Sequence, residues 1–223
     1  MALDDGLLVR RILRVNHAGE HAAVSIYGAQ VACARRLVPE LVPWLEETRR
    51  HEVGHRRRFR EAMPPRGARP CHATFLWAWM GALLGAMTSL GGRFGVMVCT
   101  AAVERTVHRH LDEQIDYLDG RDDAVALLIR DIQVEEDEHL AYAEARHDPG
   151  HWAARATSAW IAASTEVLIW LSTRGDSTRL HRELARLRKD EKATTTAARR
   201  WHDPAVSAMR SAGRDTGPRS SAG

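Results

Sequence analysis

The sequence is poor in cysteine and proline, and both shortages narrow the class of protein it can encode. Cys33, Cys71 and Cys99 are the only cysteines in 223 residues, and they form no Cys-x-x-Cys pair. Their odd number and wide spacing argue against a disulfide framework or a closed thiolate metal site, and favour small packing residues in a reducing compartment. With only eight prolines and little polar–apolar alternation, the long Ala-, Leu-, Arg- and Glu-rich stretches predict an all-α fold.

Lysine is almost absent, and its distribution divides the chain. Lys189 and Lys192 are the only two lysines, and residues 174–223 hold 12 Lys+Arg against 6 Asp+Glu. The net charge of +3 therefore comes from an appendage, and we infer no nucleic-acid binding from it. We expect a folded domain at 1–174 and a basic tail at 175–223, which is partly helical at first and then disordered.

One pattern occurs twice with identical spacing: a glutamate is followed 32 residues later by a Glu-x-x-His motif. Residues i and i+3 share a face of a helix, so the two side chains of each motif point to the same side. Two copies are far less expected by chance than one, and they predict a two-metal site inside a four-helix bundle. The residues of the two units are Glu20, Glu52 and His55, and Glu104, Glu136 and His139.

Helix-breaking residues lie midway between the two glutamates of each unit. Val38-Pro39 follows the midpoint of the first unit, and Gly120 is the midpoint of the second. An antiparallel hairpin about each turn, with arms of about 24 Å, brings the first glutamate level with its Glu-x-x-His motif. Two hairpins packed face to face then bring the six side chains together. The helices are predicted at about 8–36, 39–63, 94–118 and 122–146.

Small and apolar neighbours indicate that the carboxylates of the repeat are buried. Glu20 lies between Ala18-Gly19 and Ala22-Ala23, and the small or apolar run 98–103 precedes Glu104. A buried carboxylate is costly unless it is paired or coordinates a metal. Oxygen and imidazole donors without thiolates favour iron or manganese, and four carboxylates balance the charge of two divalent ions.

Several histidines lie near the predicted ligands. His17 and His110 are candidate hydrogen-bond partners of those ligands, because they lie within a few residues of them. Surface or packing roles are predicted for His21, His51 and His108.

An uncharged segment, residues 71–92, separates the two units, and a second apolar helix is predicted at 152–173. We expect 71–92 to be an interfacial helix with its apolar face in lipid. An internal core helix and a membrane span remain alternatives. An apolar channel between the two helices would admit a lipid tail, with Leu83, Met87 and Leu168 as candidate lining residues.

Beyond the repeat, the chain resembles the demethoxyubiquinone hydroxylase family, which contains the di-iron monooxygenases of late ubiquinone biosynthesis. The resemblance covers about residues 9–174. The segments that carry it are Arg14–Glu20, Ile26–Tyr27 with Gln30, Thr100–Glu104, Gln114–Ile115, Glu136–His139 and Ile169–Ser172. Two features depart from the family pattern: His21-Ala22 stands where Tyr-Gly is frequent, and Glu166 lies on the mainly apolar last helix.

The resemblance implies a ferritin-like bundle in which two iron ions and O₂ hydroxylate the ring of a polyprenylated demethoxyquinol. It also implies peripheral attachment to the cytoplasmic face of the cell's inner membrane, with a homodimer or proteins of the ubiquinone pathway as potential partners and no nucleic acid. The catalytic and metal-ligating residues implied are Glu20, Glu52, His55, Glu104, Glu136 and His139.

Other function classes share this ligand set. A ferritin-like iron store or ferroxidase predicts a polar exterior, against which the uncharged segment 71–92 argues. A rubrerythrin-like peroxide reductase usually carries a cysteine-rich iron centre, and a catalytically dead scaffold would not need an intact ligand set. The electron donor stays open between NADH in direct contact, a separate reductase and the quinol itself, because no glycine-rich dinucleotide fingerprint occurs.

Overall fold

Two long helical hairpins frame the fold. The first pairs α1 (Asp5–Leu37) with α2 (Val42–Ala62), and the second pairs α4 (Gly92–Leu118) with α5 (Asp123–Glu144). The helix α3 (Thr74–Ser89) lies between the hairpins in sequence, and α6 (Trp152–Thr173) follows them. The structure is a computed structural model that describes residues 5–173, 178, 181 and 182, and it contains no strand within them. The predicted all-α, ferritin-like architecture is confirmed.

The hairpin turns form at the predicted breaks. Val38 leaves the helical region with a φ of −150°, and a 3-10 turn at Pro39–Leu41 leads into α2. Gly120 has a φ of 72°, in the left-handed region that favours glycine. Asp122 then caps α5 by accepting a hydrogen bond from the backbone N–H of Val125 at 3.2 Å. The helix bounds differ from the predicted ones by only a few residues at each end.

Apolar side chains from both hairpins meet in the centre of the bundle. One buried cluster joins Tyr27 and Val31 of α1, Leu45 of α2, Met97 of α4 and Ala143 of α5. A second cluster ties α6 to the bundle through Ile161, which packs with Ile26, Cys99 and Ala102. Helices α1 to α6 belong to one compact unit.

The helix α3 packs one face directly on α1. A Cβ at Gly81 would lie 2.3 Å from the carbonyl oxygen of Ala22, and one at Gly85 would lie 2.3 Å from that of Ile26. The opposite face is open, so α3 is not an internal core helix. No helix in the described part of the chain is both long and apolar enough to cross a membrane. The exposed apolar residues of α3 and its C-terminal turn are Phe75, Leu76, Trp79, Met80, Leu83, Met87 and Leu90.

The basic tail predicted at 175–223 lies almost entirely outside the described residues. The boundary between 174 and 175 also lies there, so both stay predictions.

Candidate metal centre

The six residues of the sequence repeat come together between four helices. Their donor atoms form two overlapping groups, and within each group all atoms lie within 4.8 Å of one another. Glu52 and Glu136 belong to both groups, and all six residues are buried. The first group is Glu20, Glu52, His55 and Glu136, and the second is Glu52, Glu104, Glu136 and His139.

Both imidazoles turn Nδ1 towards the two shared carboxylates. His55 Nδ1 lies 3.1 Å from Glu136 Oε1 and 3.6 Å from Glu52 Oε2. His139 Nδ1 lies 3.1 Å from Glu136 Oε2 and 3.5 Å from Glu52 Oε1. Each shared glutamate therefore directs one carboxylate oxygen to His55 and the other to His139. A carboxylate that bridges two metal ions requires this arrangement.

Burial and crowding of like charges raise the pKa values of the outer two carboxyl groups. Burial, followed by the negative charges of Glu52 and Glu136, raises the pKa of Glu20 well above its usual range. Burial and the same two charges, with Glu136 the larger, raise the pKa of Glu104 as well. The metal-free protein therefore favours the protonated form of both groups, and dications would replace those protons on binding.

The pKa values of the two central imidazoles are raised as well, which for histidine favours the charged form. Burial alone would lower the pKa of His55, but the carboxylates of Glu136 and Glu52 close to its Nδ1 raise it to about 11. Burial likewise opposes the charged form of His139, and its hydrogen bond to Glu136 raises the pKa. For Glu136, the hydrogen bond with His139 and the close contact of His55 outweigh burial and lower the pKa. Protons on the histidines thus compensate the shared carboxylates when no cation does.

Orphaned polar atoms test whether this site fits a metal. Glu52 Oε1 and His55 Nδ1 are buried and have no hydrogen-bond partner of acceptable geometry. Such atoms are costly to bury, and a divalent cation between the carboxylates would supply the missing partner. The donor set of four carboxylates and two imidazoles, without thiolate, suits iron or manganese. The residues present therefore fit a dinuclear metal centre.

Three further residues hold the predicted ligands from outside. The Tyr27 hydroxyl donates to Glu104 Oε1 at 2.8 Å. Glu135 Oε2 lies 3.2 Å from His55 Nε2, and His51 Nδ1 lies 3.1 Å from His139 Nε2. His51 packs as predicted, by stacking on His139, but its contact with the Nε2 atom of that ligand was missed, as were Glu135 and Tyr27. His51 lies one residue before Glu52, and Glu135 lies one residue before Glu136. These positions, on helices that face the ligands, were the signal that the sequence offered.

The two histidines proposed as hydrogen-bond partners have other contacts. His17 is buried with Nδ1 unpaired, and its ring stands edge-on to His21 at 4.9 Å between centroids. Burial, then His21 and two arginines, lower the pKa of His17 to about 4. His110 Nε2 lies 3.1 Å from Glu166 Oε2, and Glu166 Oε1 accepts a hydrogen bond from Arg109. Glu166, the departure on the last helix, therefore links α6 to α4.

An apolar cavity of about 290 Å³ reaches the carboxylates. Glu20, Glu52, Glu104 and Glu136 are part of its wall, and the remainder comes from α1, α3, α4 and α6. Of the predicted channel residues, Leu83 and Met87 line the cavity, whereas the side chain of Leu168 lies outside the described set. Asn16 and Gln114, also in the wall, pair through two amide hydrogen bonds of 2.7 and 3.2 Å.

A helical bundle that holds four glutamates and two histidines beside an apolar cavity defines a candidate dinuclear carboxylate protein. The particular family follows from comparison with known proteins. Residues 8–172 match the family model described as ubiquinone biosynthesis protein COQ7, and the chain belongs to that family. The matched range runs from α1 to the end of α6, so it contains the whole candidate centre.

Curated relatives agree with the family match. The chain is 36% identical over 177 residues to the human mitochondrial NADPH-dependent 3-demethoxyubiquinone 3-hydroxylase, covering 74% of this chain and 77% of that protein. It is 36% identical over 170 residues to the 3-demethoxyubiquinol 3-hydroxylase of Rhodospirillum rubrum, covering 75% and 78%. The Dictyostelium discoideum protein, named like the human one, is 30% identical over 174 residues, covering 75% and 77%.

Proposed function

We propose that this protein is an O₂-dependent hydroxylase of a polyprenylated demethoxyquinol, the 3-demethoxyubiquinol 3-hydroxylase reaction of ubiquinone biosynthesis. The observation that carries the proposal is the cavity, because its apolar wall ends on four buried glutamates. A storage site needs access for hydrated ions, whereas an apolar wall favours a lipid-like substrate. The names of the human and Rhodospirillum rubrum relatives support the same reaction.

The two groups of the candidate centre would each hold one iron ion. Glu20 and His55 would serve the first ion, Glu104 and His139 the second, and the shared Glu52 and Glu136 both. When bound, the ions would supply the reduction of O₂, with one oxygen atom entering the ring and the other leaving as water.

The side chains around the cavity would place the quinol ring and exclude water. Leu83, Met87 and Ile26 give the wall an apolar surface, while the paired amides of Asn16 and Gln114 leave few free polar atoms. A volume of about 290 Å³ is at the lower end of small-molecule pockets. It suits the ring, so the polyprenyl tail would leave between α3 and α6.

The exposed apolar faces of α3 and α6 support peripheral attachment to a membrane. On α6, Trp152, Trp160, Val167 and Trp170 are exposed, in addition to the apolar residues of α3. Tryptophan is enriched where protein meets the lipid interface. We place the protein on the cytoplasmic face of the cell's inner membrane, where these faces would admit the quinol tail directly. Burial of the same faces in a homodimer or against a pathway partner is the competing arrangement.

The electron donor is proposed as a reduced nicotinamide nucleotide, either in direct contact or through a reductase. The name of the human relative specifies NADPH, which makes NADPH and NADH the first donors to compare.

An oxygen-labelling experiment tests the proposed reaction. Purified protein loaded with Fe(II) is given a short-chain demethoxyquinol, a reductant and ¹⁸O₂, and the product is analysed by mass spectrometry. We expect a hydroxyquinol containing one ¹⁸O atom and about two iron ions per chain. Oxidation of Fe(II) without a labelled product, or uptake of many iron ions per chain, would instead indicate a ferroxidase or a store.

A further inference from the structure

The outward nitrogens of the two central imidazoles have chemically different partners. His55 Nε2 faces the carboxylate of Glu135 at 3.2 Å. His139 Nε2 faces another imidazole, His51 Nδ1, at 3.1 Å, and the two rings stack at 5.3 Å between centroids. The sequence repeat gives the two halves of the centre the same inward donors. The structure breaks this symmetry on the outer side of the histidines, in addition to the hydrogen bond that Tyr27 donates to Glu104.

Arg58 holds Glu135 in place. Its two terminal nitrogens donate to Glu135 Oε1 and to Asp131 Oδ2, each at 3.4 Å. Glu135 thus uses Oε1 for the guanidinium and Oε2 for His55, while His51 Nδ1 lies 3.8 Å from Oε2. These contacts join α2 to α5, and His51, Arg58 and Glu135 all lie outside the cavity wall.

The orientation of the two rings determines which nitrogen of each would bind a metal ion. Both Nδ1 atoms point to the shared carboxylates, so Nδ1 is the nitrogen that would bind a metal ion, and each metal-bound ring would carry its proton on Nε2 and donate it outward. An imidazole that donates to a carboxylate is a stronger metal ligand than one that donates to a neutral acceptor. His55 consequently offers a more basic nitrogen to the centre than His139 does.

From these contacts, we propose that Glu135 and His51 are positioning residues that make the two metal positions of the centre unequal. Glu135 orients His55 and strengthens the position that His55 shares with Glu20. His51 orients His139 and leaves the position shared with Glu104 the weaker of the two. The inference rests on the two-metal centre proposed above, but it concerns metal affinity and is independent of the substrate.

Anaerobic titration of the full-length metal-free protein with Fe(II), followed by equilibrium dialysis, measures the two affinities directly. We expect two binding steps in the unmodified protein. Glu135→Gln should weaken the tighter step by about 10- to 100-fold and leave the weaker step unchanged. His51→Leu should weaken the other step, and His51→Asn should restore much of it, because its amide oxygen can accept from His139 Nε2.

Glu138→Gln is the matched control, since Glu138 lies on the same helix and is exposed. Equal loss in Glu138→Gln and Glu135→Gln, or an equal weakening of both steps by Glu135→Gln, would overturn the inference. So would a His51→Asn variant as weak as His51→Leu. Two unequal steps without hydroxylation would leave the inference standing and remove the proposed function, whereas a protein that binds no Fe(II) would remove both.

Discussion

A single phenol distinguishes Glu104 from the other buried carboxylates at the residue scale. Tyr27 is buried and donates to Glu104 Oε1, so that oxygen is held while the other stays available to the centre. Burial and the charges of Glu136 and Glu52 oppose ionisation of Glu104, as its raised pKa shows. Ionised Glu104 therefore destabilises the metal-free protein, and a bound cation would offset that destabilisation.

Glu104→Gln should separate stability from metal binding. The amide keeps the shape and the acceptor for Tyr27 but removes the repelled charge, so we expect the metal-free variant to unfold at the same or higher urea concentration. Iron content should fall below two ions per chain, and hydroxylation should fall by at least the roughly 100-fold that loss of an outer partner can cost. Glu138→Gln should change neither quantity. Full iron content and turnover in Glu104→Gln would remove Glu104 from the ligand set.

At the scale of single helices, the close backbone contact between α3 and α1 determines how the two helices pack. A methyl group at Gly81 would meet the backbone of Ala22, which cannot move aside as a side chain can. We expect Gly81→Ala to push α3 away and to lower the free energy of unfolding by about 1–3 kcal/mol. Gly54→Ala is the control: its Cβ meets no atom within 4 Å, and alanine should stabilise α2 by about 0.5–1 kcal/mol.

Urea denaturation of the metal-free variants measures both glycine effects. A Gly81→Ala protein as stable as Gly54→Ala would show that α3 can move away from α1 at no cost.

The start of α5 depends on a charge pair. Arg66 donates to both Asp122 oxygens, one of them at 2.7 Å through Nη2, and this contact holds the pKa of Asp122 below its usual range. A lowered folded-state pKa stabilises the protein above the unfolded-state pKa, and the effect is lost as pH falls through the folded value. Asp122→Asn keeps the helix cap but not the charge, so we expect it to cost about 0.5–1 kcal/mol at neutral pH.

Stability curves at several pH values check the Asp122 prediction on metal-free protein. The difference between Asp122→Asn and the unmodified protein should shrink as pH falls below the ordinary aspartate range of about 4. A difference that stays constant down to acid pH would mean that geometry, not charge, stabilises the start of α5.

For the whole molecule, periodic features were predictable from the sequence and contacts between non-repeating residues were not. The 32-residue repeat and the breaks near Val38 and Gly120 suffice to predict two hairpins and to bring six donors together. His51 escaped prediction because its contact with His139 depends on how α2 packs against α5. Equally, no spacing rule predicts that Glu166 would pair with His110, since that contact requires the placement of α6.

The open face of α3 permits a test of how the whole molecule meets the membrane. Phe75 is 68% exposed and Leu90 82%, and neither lines the cavity. Replacing both by glutamate should weaken sedimentation with phospholipid vesicles by at least about tenfold, because each large apolar side chain buried in lipid contributes about 1.5–3 kcal/mol. Iron content should not change.

Leu127→Glu on α5, where Leu127 is 59% exposed, is the control and should bind vesicles normally. Equal binding by all three proteins would exclude α3 as the membrane face, and a shift from dimer to monomer in Phe75→Glu/Leu90→Glu would assign that face to a second copy of the chain.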